Sequence, residues 1–152
     1  MTKQHLMACG ITAIVCTLWL TGCDKRDRLE TVQVTGTVSL DGRPLSIGTV
    51  VFTPEKGRSA TGAVQSDGTY CLGTYTASDG AVPGLHHVSV VARENAGAEN
   101  ARRGPIDKRP GKWLIPEFYA DYTQSGLVFE VKQDGSNVYD IPISSTAQPK
   151  GQ

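Results

Sequence analysis

The stretch Val34–Pro54, VTGTVSLDGRPLSIGTVVFTP, alternates with a period of two on both sides of a single Asp-Gly turn. Val34, Gly36, Val38 and Leu40 share one parity with the preceding Val32, while Gln33, Thr35, Thr37 and Ser39 take the other. Successive side chains of a strand point to opposite faces, so this is the pattern of a half-buried strand. Asp41-Gly42-Arg43-Pro44 then reverses the chain, because Asp-Gly tolerates the positive φ angles of a tight hairpin. Ser46–Thr53 resumes with Val50 and Phe52 on one face. Pro54 closes it, since proline has no N–H to give to a ladder.

The same rules extend along the chain. Arg58–Gln65 and Thr69–Tyr75 form the next expected pair, joined by Ser66-Asp67-Gly68. Leu85–Ala92 follows Pro83-Gly84 and aligns Val88, Val90 and Ala92. Leu127–Lys132 alternates Leu127, Phe129 and Val131 with Val128, Glu130 and Lys132. Asp134-Gly135-Ser136-Asn137 turns into Val138–Ser144, which points Tyr139, Ile141 and Ile143 inward. Seven short strands separated by glycine-rich turns predict an all-β sandwich or barrel over residues 32–145, followed by a disordered tail, 146–152.

Ahead of this domain the period of two is absent. Leu6–Leu20 is a run of fifteen mostly apolar residues behind a weakly basic start, and Leu20-Thr21-Gly22-Cys23 closes it beside a charged boundary. The run is shorter than the roughly 20 residues of a bilayer-spanning helix. Its basic start, apolar middle and small-residue end are those of an export signal. Leu20-Thr21-Gly22-Cys23 resembles the bacterial lipobox. That resemblance implies a signal peptide over 1–22, cleavage between Gly22 and Cys23, and a diacylglycerol on the Cys23 thiol. Two acyl chains suffice for stable anchoring at about 0.8 kcal/mol per buried methylene. Residues 23–31 then form a lipidated Cys and a polar tether on the periplasmic or outer face of a membrane.

The mature chain would have 130 residues, enough for one domain. Losing Lys3 leaves fourteen Lys+Arg against fifteen Asp+Glu, a formal charge of −1 that speaks against a nucleic-acid partner. Cys9 and Cys16 leave with the signal and Cys23 is acylated, so Cys71 alone remains and no intramolecular disulfide can form. The exception to the strand pattern is Arg93–Trp113, with six basic and three acidic residues and no periodicity. A loop of that length is either functional or disordered. As a binding loop it would offer Arg102, Arg103, Lys108, Arg109, Lys112 and Trp113 to an anionic envelope polymer or lipid surface.

Val34–Pro54 resembles the opening of carboxypeptidase-regulatory-like domains, in which a V-x-G-x-V strand leads through D-G-x-P-L into a second strand. SDGTYCLGTY (Ser66–Tyr75) is similar to their next hairpin. AVPGLHHVSVV (Ala81–Val91) is similar to the following strand, with His86 where tyrosine is usual. IPEFYADYTQSGLVFEV (Ile115–Val131) resembles a segment of small lipoproteins of planctomycete-type bacteria that carry this domain. The resemblance covers nearly all of Val32–Ile143. It implies a seven-strand transthyretin-like (prealbumin-like) Greek-key sandwich with no established catalytic residues or ligand.

Chemical constellations are few. His86 and His87 are strand neighbours and point apart, so they cannot chelate one ion, and His86 belongs at the core edge. Asp41, Asp67, Asp79 and Asp134 each precede Gly, one per turn, which is turn chemistry rather than a calcium loop. Cys71, between Tyr70 and Leu72, faces away from the core or lies partly covered, and has no evident base. Hydroxyisourate hydrolase shares the transthyretin fold, but its terminal Tyr-Arg-Gly-Ser motif has no match in the TAQPKGQ end of this chain. A carbohydrate-binding module would want aligned aromatics, and Tyr75, Trp113, Phe118, Tyr119 and Tyr122 fall on separate loops. The expectation is a membrane-anchored envelope lipoprotein with a non-catalytic binding or structural module, needing no metal or cofactor, its partner an envelope protein or polymer.

Overall fold

The computed structural model describes residues 28–94 and 111–149. The expected export signal, Gly22, Cys23, the first part of the expected tether and Arg102, Arg103, Lys108 and Arg109 lie outside the described residues.

Alternation becomes strands where expected, with shorter bounds. In chain order they are β1 (Thr35–Leu40), β2 (Arg43–Pro44), β3 (Gly48–Pro54), β4 (Ala60–Val64), β5 (Thr69–Cys71), β6 (Gly84–Val91), β7 (Leu127–Val131) and β8 (Ile141–Ile143). One 3-10 turn, Glu117–Ala120, precedes β7. The strands make two sheets: β2-β1-β5 with β8 parallel beside β1, and β4-β3-β6-β7, antiparallel throughout. The Asp41-Gly42 turn, with φ of 49° and 80°, lets Leu40 pair with Arg43 and Ser39 with Pro44. The two-residue β2 comes from residues that the sequence pattern assigns to the turn itself.

Even-numbered residues of β1 and β3–β6 point inward and fill the space between the sheets. Val34, Val38, Phe52, Leu72, Val88 and Ile141 have no exposed surface. Each such side chain contributes about 1.5–3 kcal/mol on burial. Phe52 is the hub, with its ring centroid 5.9 Å from Phe129, 6.1 Å from Tyr139 and 5.7 Å from His86. His86 is therefore in the core itself and not at its edge. Its Nε2 lies 2.7 Å from the Val82 carbonyl, which fixes the proton there, and its buried Nδ1 has no partner among the described residues. His87 points the other way, toward the Tyr122 ring at 6.3 Å.

Both sides of the sandwich are seamed. On one side the β4–β5 hairpin joins the sheets. The Gln65 N–H donates to the Thr69 carbonyl at 2.8 Å, and Thr61 and Gly73 exchange both backbone bonds at 2.9 Å. On the other side a side chain imitates a strand. The buried Asn137 accepts the Lys132 N–H on Oδ1 at 2.8 Å and donates Nδ2 to the Lys132 carbonyl at 3.0 Å. The Tyr139 hydroxyl caps the adjacent Glu130 carbonyl. The end of the β7 edge, at Glu130 and the following Lys132, is thus covered by two side chains from the segment leading into β8.

Candidate functional site

The outward face of β1, β4 and β5 is unusual in its residues. A solvent-facing strand surface ordinarily carries long charged side chains. Here the outward positions are Thr35 and Thr37 on β1, Thr61 and Ala63 on β4, and Thr69 and Cys71 on β5. These short side chains floor a groove of about 960 Å³, open to solvent. Gln65, Val138 and Asp140 bound it on one flank and the loop Thr74–Ser78 on the other. That volume is at the upper end of the roughly 300–1,000 Å³ of small-molecule sites.

The floor lies low because backbones approach closely beneath it. A Cβ on Gly36 would sit 1.9 Å from the Tyr139 carbonyl oxygen, and one on Gly62 would sit 2.6 Å from that of Cys71. The Tyr70 hydroxyl, from below, donates to the Tyr139 carbonyl at 2.8 Å. Burial, with the Asp140 and Tyr139 side chains adding, pushes the Tyr70 phenol far above its usual range, so it stays a donor.

The wall Thr74–Ser78 is held by one carboxylate. Asp79 accepts the N–H of Thr74 at 2.6 Å on Oδ1, and those of Tyr75 at 3.1 Å and Thr76 at 2.9 Å on Oδ2. Burial is the largest single influence on Asp79 and raises its pKa. The N–H groups of Thr74, Thr76 and Tyr75 together outweigh it and leave the carboxyl below its ordinary value. Tyr75, fixed by this ring, takes the incoming chain: the Leu29 N–H donates to its hydroxyl at 3.0 Å, and the Arg28 guanidinium lies 5.4 Å from its ring centroid.

Asp140 is the groove's charged residue. Its Oδ1 accepts both the N–H and the hydroxyl of Thr37, at 3.1 and 2.6 Å. Its Oδ2 has no partner among the described residues. Cys71, a half-buried free thiol on the floor, has no imidazole near it: His86 is sealed in the core and His87 packs toward Tyr122. Among the described residues no group of three His, Cys, Asp or Glu is placed to hold a metal ion.

Of the residues singled out in the long loop, Lys112 and Trp113 are described. Glu94 N–H donates to the Lys112 carbonyl and Leu114 N–H to that of Ala92, at 2.9 and 3.1 Å, closing the loop's base. Trp113 is covered on one face by the Arg93 guanidinium, 3.6 Å from its centroid. A shallow pocket of about 410 Å³ lies between Trp113, Phe118 and Gln124. Neither Lys112 nor Trp113 reaches the groove. The groove itself is missed by sequence reasoning because its residues look like ordinary solvent-side positions. The available signal was the lack of any Lys, Arg or Glu at the outward positions of β1, β4 and β5.

Comparisons with protein-family models, curated proteins and solved structures find no match to the chain.

Proposed function

We propose that this is a membrane-anchored lipoprotein of a bacterial cell envelope whose β-sandwich is a non-catalytic binding module, with the groove over β5 as its binding surface. The proposal includes a seven-strand transthyretin-like Greek-key sandwich of the carboxypeptidase-regulatory-like kind, held by acyl chains on Cys23. The observation that carries the anchor is Leu20-Thr21-Gly22-Cys23, at the end of an apolar run and five residues before the domain begins to pack. Five extended residues reach about 17 Å at about 3.3 Å each. Arg28 and Leu29 already rest on Tyr75, so the groove's wall would stay within that distance of the acyl chains.

A binding role is supported by the contents of the groove. Hydroxyls, small apolar groups and one positioned carboxylate can recognise a ligand, and among the described residues no imidazole stands beside Cys71. Intact mass of the membrane-extracted protein should show loss of residues 1–22 and gain of lipid on Cys23. A Cys23→Ser chain should be recovered without lipid. Recovery of that variant as a mature lipidated species would overturn the anchor.

A further inference from the structure

We infer that the groove binds a neutral, hydroxyl-rich oligosaccharide lying across β5, held by hydroxyls and a carboxylate and not by the row of aromatics that the sequence lacks; this rests on the binding-module reading and gives its ligand class. Three features point to that chemistry. The first is the kind of polar group on offer. Thr35 and Thr61 on the floor, with Thr76 and Ser78 on the wall, present hydroxyls able to donate and accept, while Thr37 and Thr69 give their protons to Asp140 and Asp67 and can only accept. A ligand made of hydroxyls can match such groups in either sense. An anion could use only their donors.

The second feature is charge. The lining holds Asp140 and neither Lys, Arg nor His, and the Arg28 guanidinium is taken up on the Tyr75 ring outside that lining, so an anionic polymer, a phosphate or a lipid headgroup would meet Asp140 with no cation among the lining residues. Asp140 has Oδ1 occupied by Thr37, which holds the carboxylate still, and Oδ2 toward solvent. A fixed carboxylate oxygen accepting from a sugar hydroxyl makes a charge-assisted hydrogen bond, about twice as strong as a neutral one.

The third feature is backbone geometry. Peptides commonly bind sheets by adding a strand to an open edge. This groove is a sheet face: β5 is flanked by β1 on one side and by the Thr61–Gly73 pairing with β4 on the other. An extended peptide would find no ladder there. Tyr75 stands at one end with the Arg28 guanidinium over its ring, and a groove of about 960 Å³ has room for several sugar units rather than one.

The test uses the full chain in an amine-oxide detergent, which has no sugar headgroup. Titrations with maltohexaose, cellohexaose, chitohexaose and a mannan should show saturable binding of at least one. That binding should be equal at low and high salt and should slow alkylation of Cys71 at least tenfold. Ala63→Trp, which fills the floor from an exposed position, and Asp140→Asn should each weaken binding tenfold or more with unchanged circular dichroism and melting. No binding to any of the four probes, binding that Ala63→Trp leaves intact, or tighter binding of polygalacturonate than of the neutral probes would overturn the proposal. Membrane fractionation and lipid mass in the same preparation report on the anchor separately, so failure of the ligand class is distinguishable from failure of the lipoprotein reading.

Discussion

Gly36 shows how little space separates β1 from the segment that leads into β8. A single methyl group there would overlap the Tyr139 carbonyl, and the carbonyl is itself pinned by Tyr70. Gly36→Ala should therefore cost about 3 kcal/mol, the top of the usual overpacking range, as a shift in the denaturant midpoint. His86 gives the opposite expectation. His86→Phe removes a buried Nδ1 that has no partner among the described residues, but it also takes the Nε2 donor from the Val82 carbonyl. One orphaned polar atom replaces another, while the ring stays beside Phe52, so stability should change by about 1 kcal/mol or less. A loss above about 3 kcal/mol in the same urea titration would mean that Nδ1 has a partner, such as a buried water. Parity alone placed His86 on the inward face; its depth depended on Phe52 from a different strand, which alternation cannot register.

At the scale of elements, the turn aspartates do more than reverse the chain. Asp41 accepts from the Ser145 N–H, Asp67 from Thr69 and Asp121 from Thr123, and all three carboxyls are held below their ordinary value by those bonds. Asp79 joins them through the Thr74–Thr76 backbone. A carboxyl whose folded pKa lies below its unfolded one stabilises the fold fully above about pH 4. The contribution disappears as pH falls through the folded value. Thermal melting should accordingly be flat with respect to these groups near neutrality and fall on acidification below about pH 4. Asp79→Ala should lower stability by about 1–2 kcal/mol, since it strands three N–H groups, and should flatten that acid limb. Hydrogen exchange at Thr74, Tyr75 and Thr76 should rise first. The Asp-Gly dipeptides made the turns legible in the sequence. Which backbone each carboxylate would bind was not, because Asp41 and Ser145 meet only once the sandwich has formed.

Over the whole molecule, the all-β character and the inward positions were readable because one face of each strand had to be apolar. The order of strands in two sheets was not readable, since alternation does not say which strand is the neighbour. Asn137 illustrates the difference: the sequence pattern assigns it to a turn, and the fold uses its amide as a substitute peptide unit against Lys132. The groove escaped notice for a related reason, as a concave face is assembled from positions far apart in the chain. With both sides seamed, the two sheets should unfold together. Trp113 is the tryptophan that would remain once the proposed signal, 1–22, is removed, and its fluorescence should lose native character at the same urea concentration as the far-ultraviolet circular dichroism. Separate midpoints would show that the two sheets are independently stable.

The occupied edge of β7 matters most where molecules are crowded. Acyl chains on Cys23 would confine the protein to two dimensions, where neighbours collide repeatedly at high effective concentration. A bare row of strand N–H and C=O groups on such a surface is a template for one copy to zip onto the next. Asn137 and Tyr139 fill those positions from within the same chain, at Lys132 and Glu130. Those two side chains cover the Lys132 backbone and the Glu130 carbonyl, so copies sharing a patch of membrane meet a shortened template rather than a whole open strand.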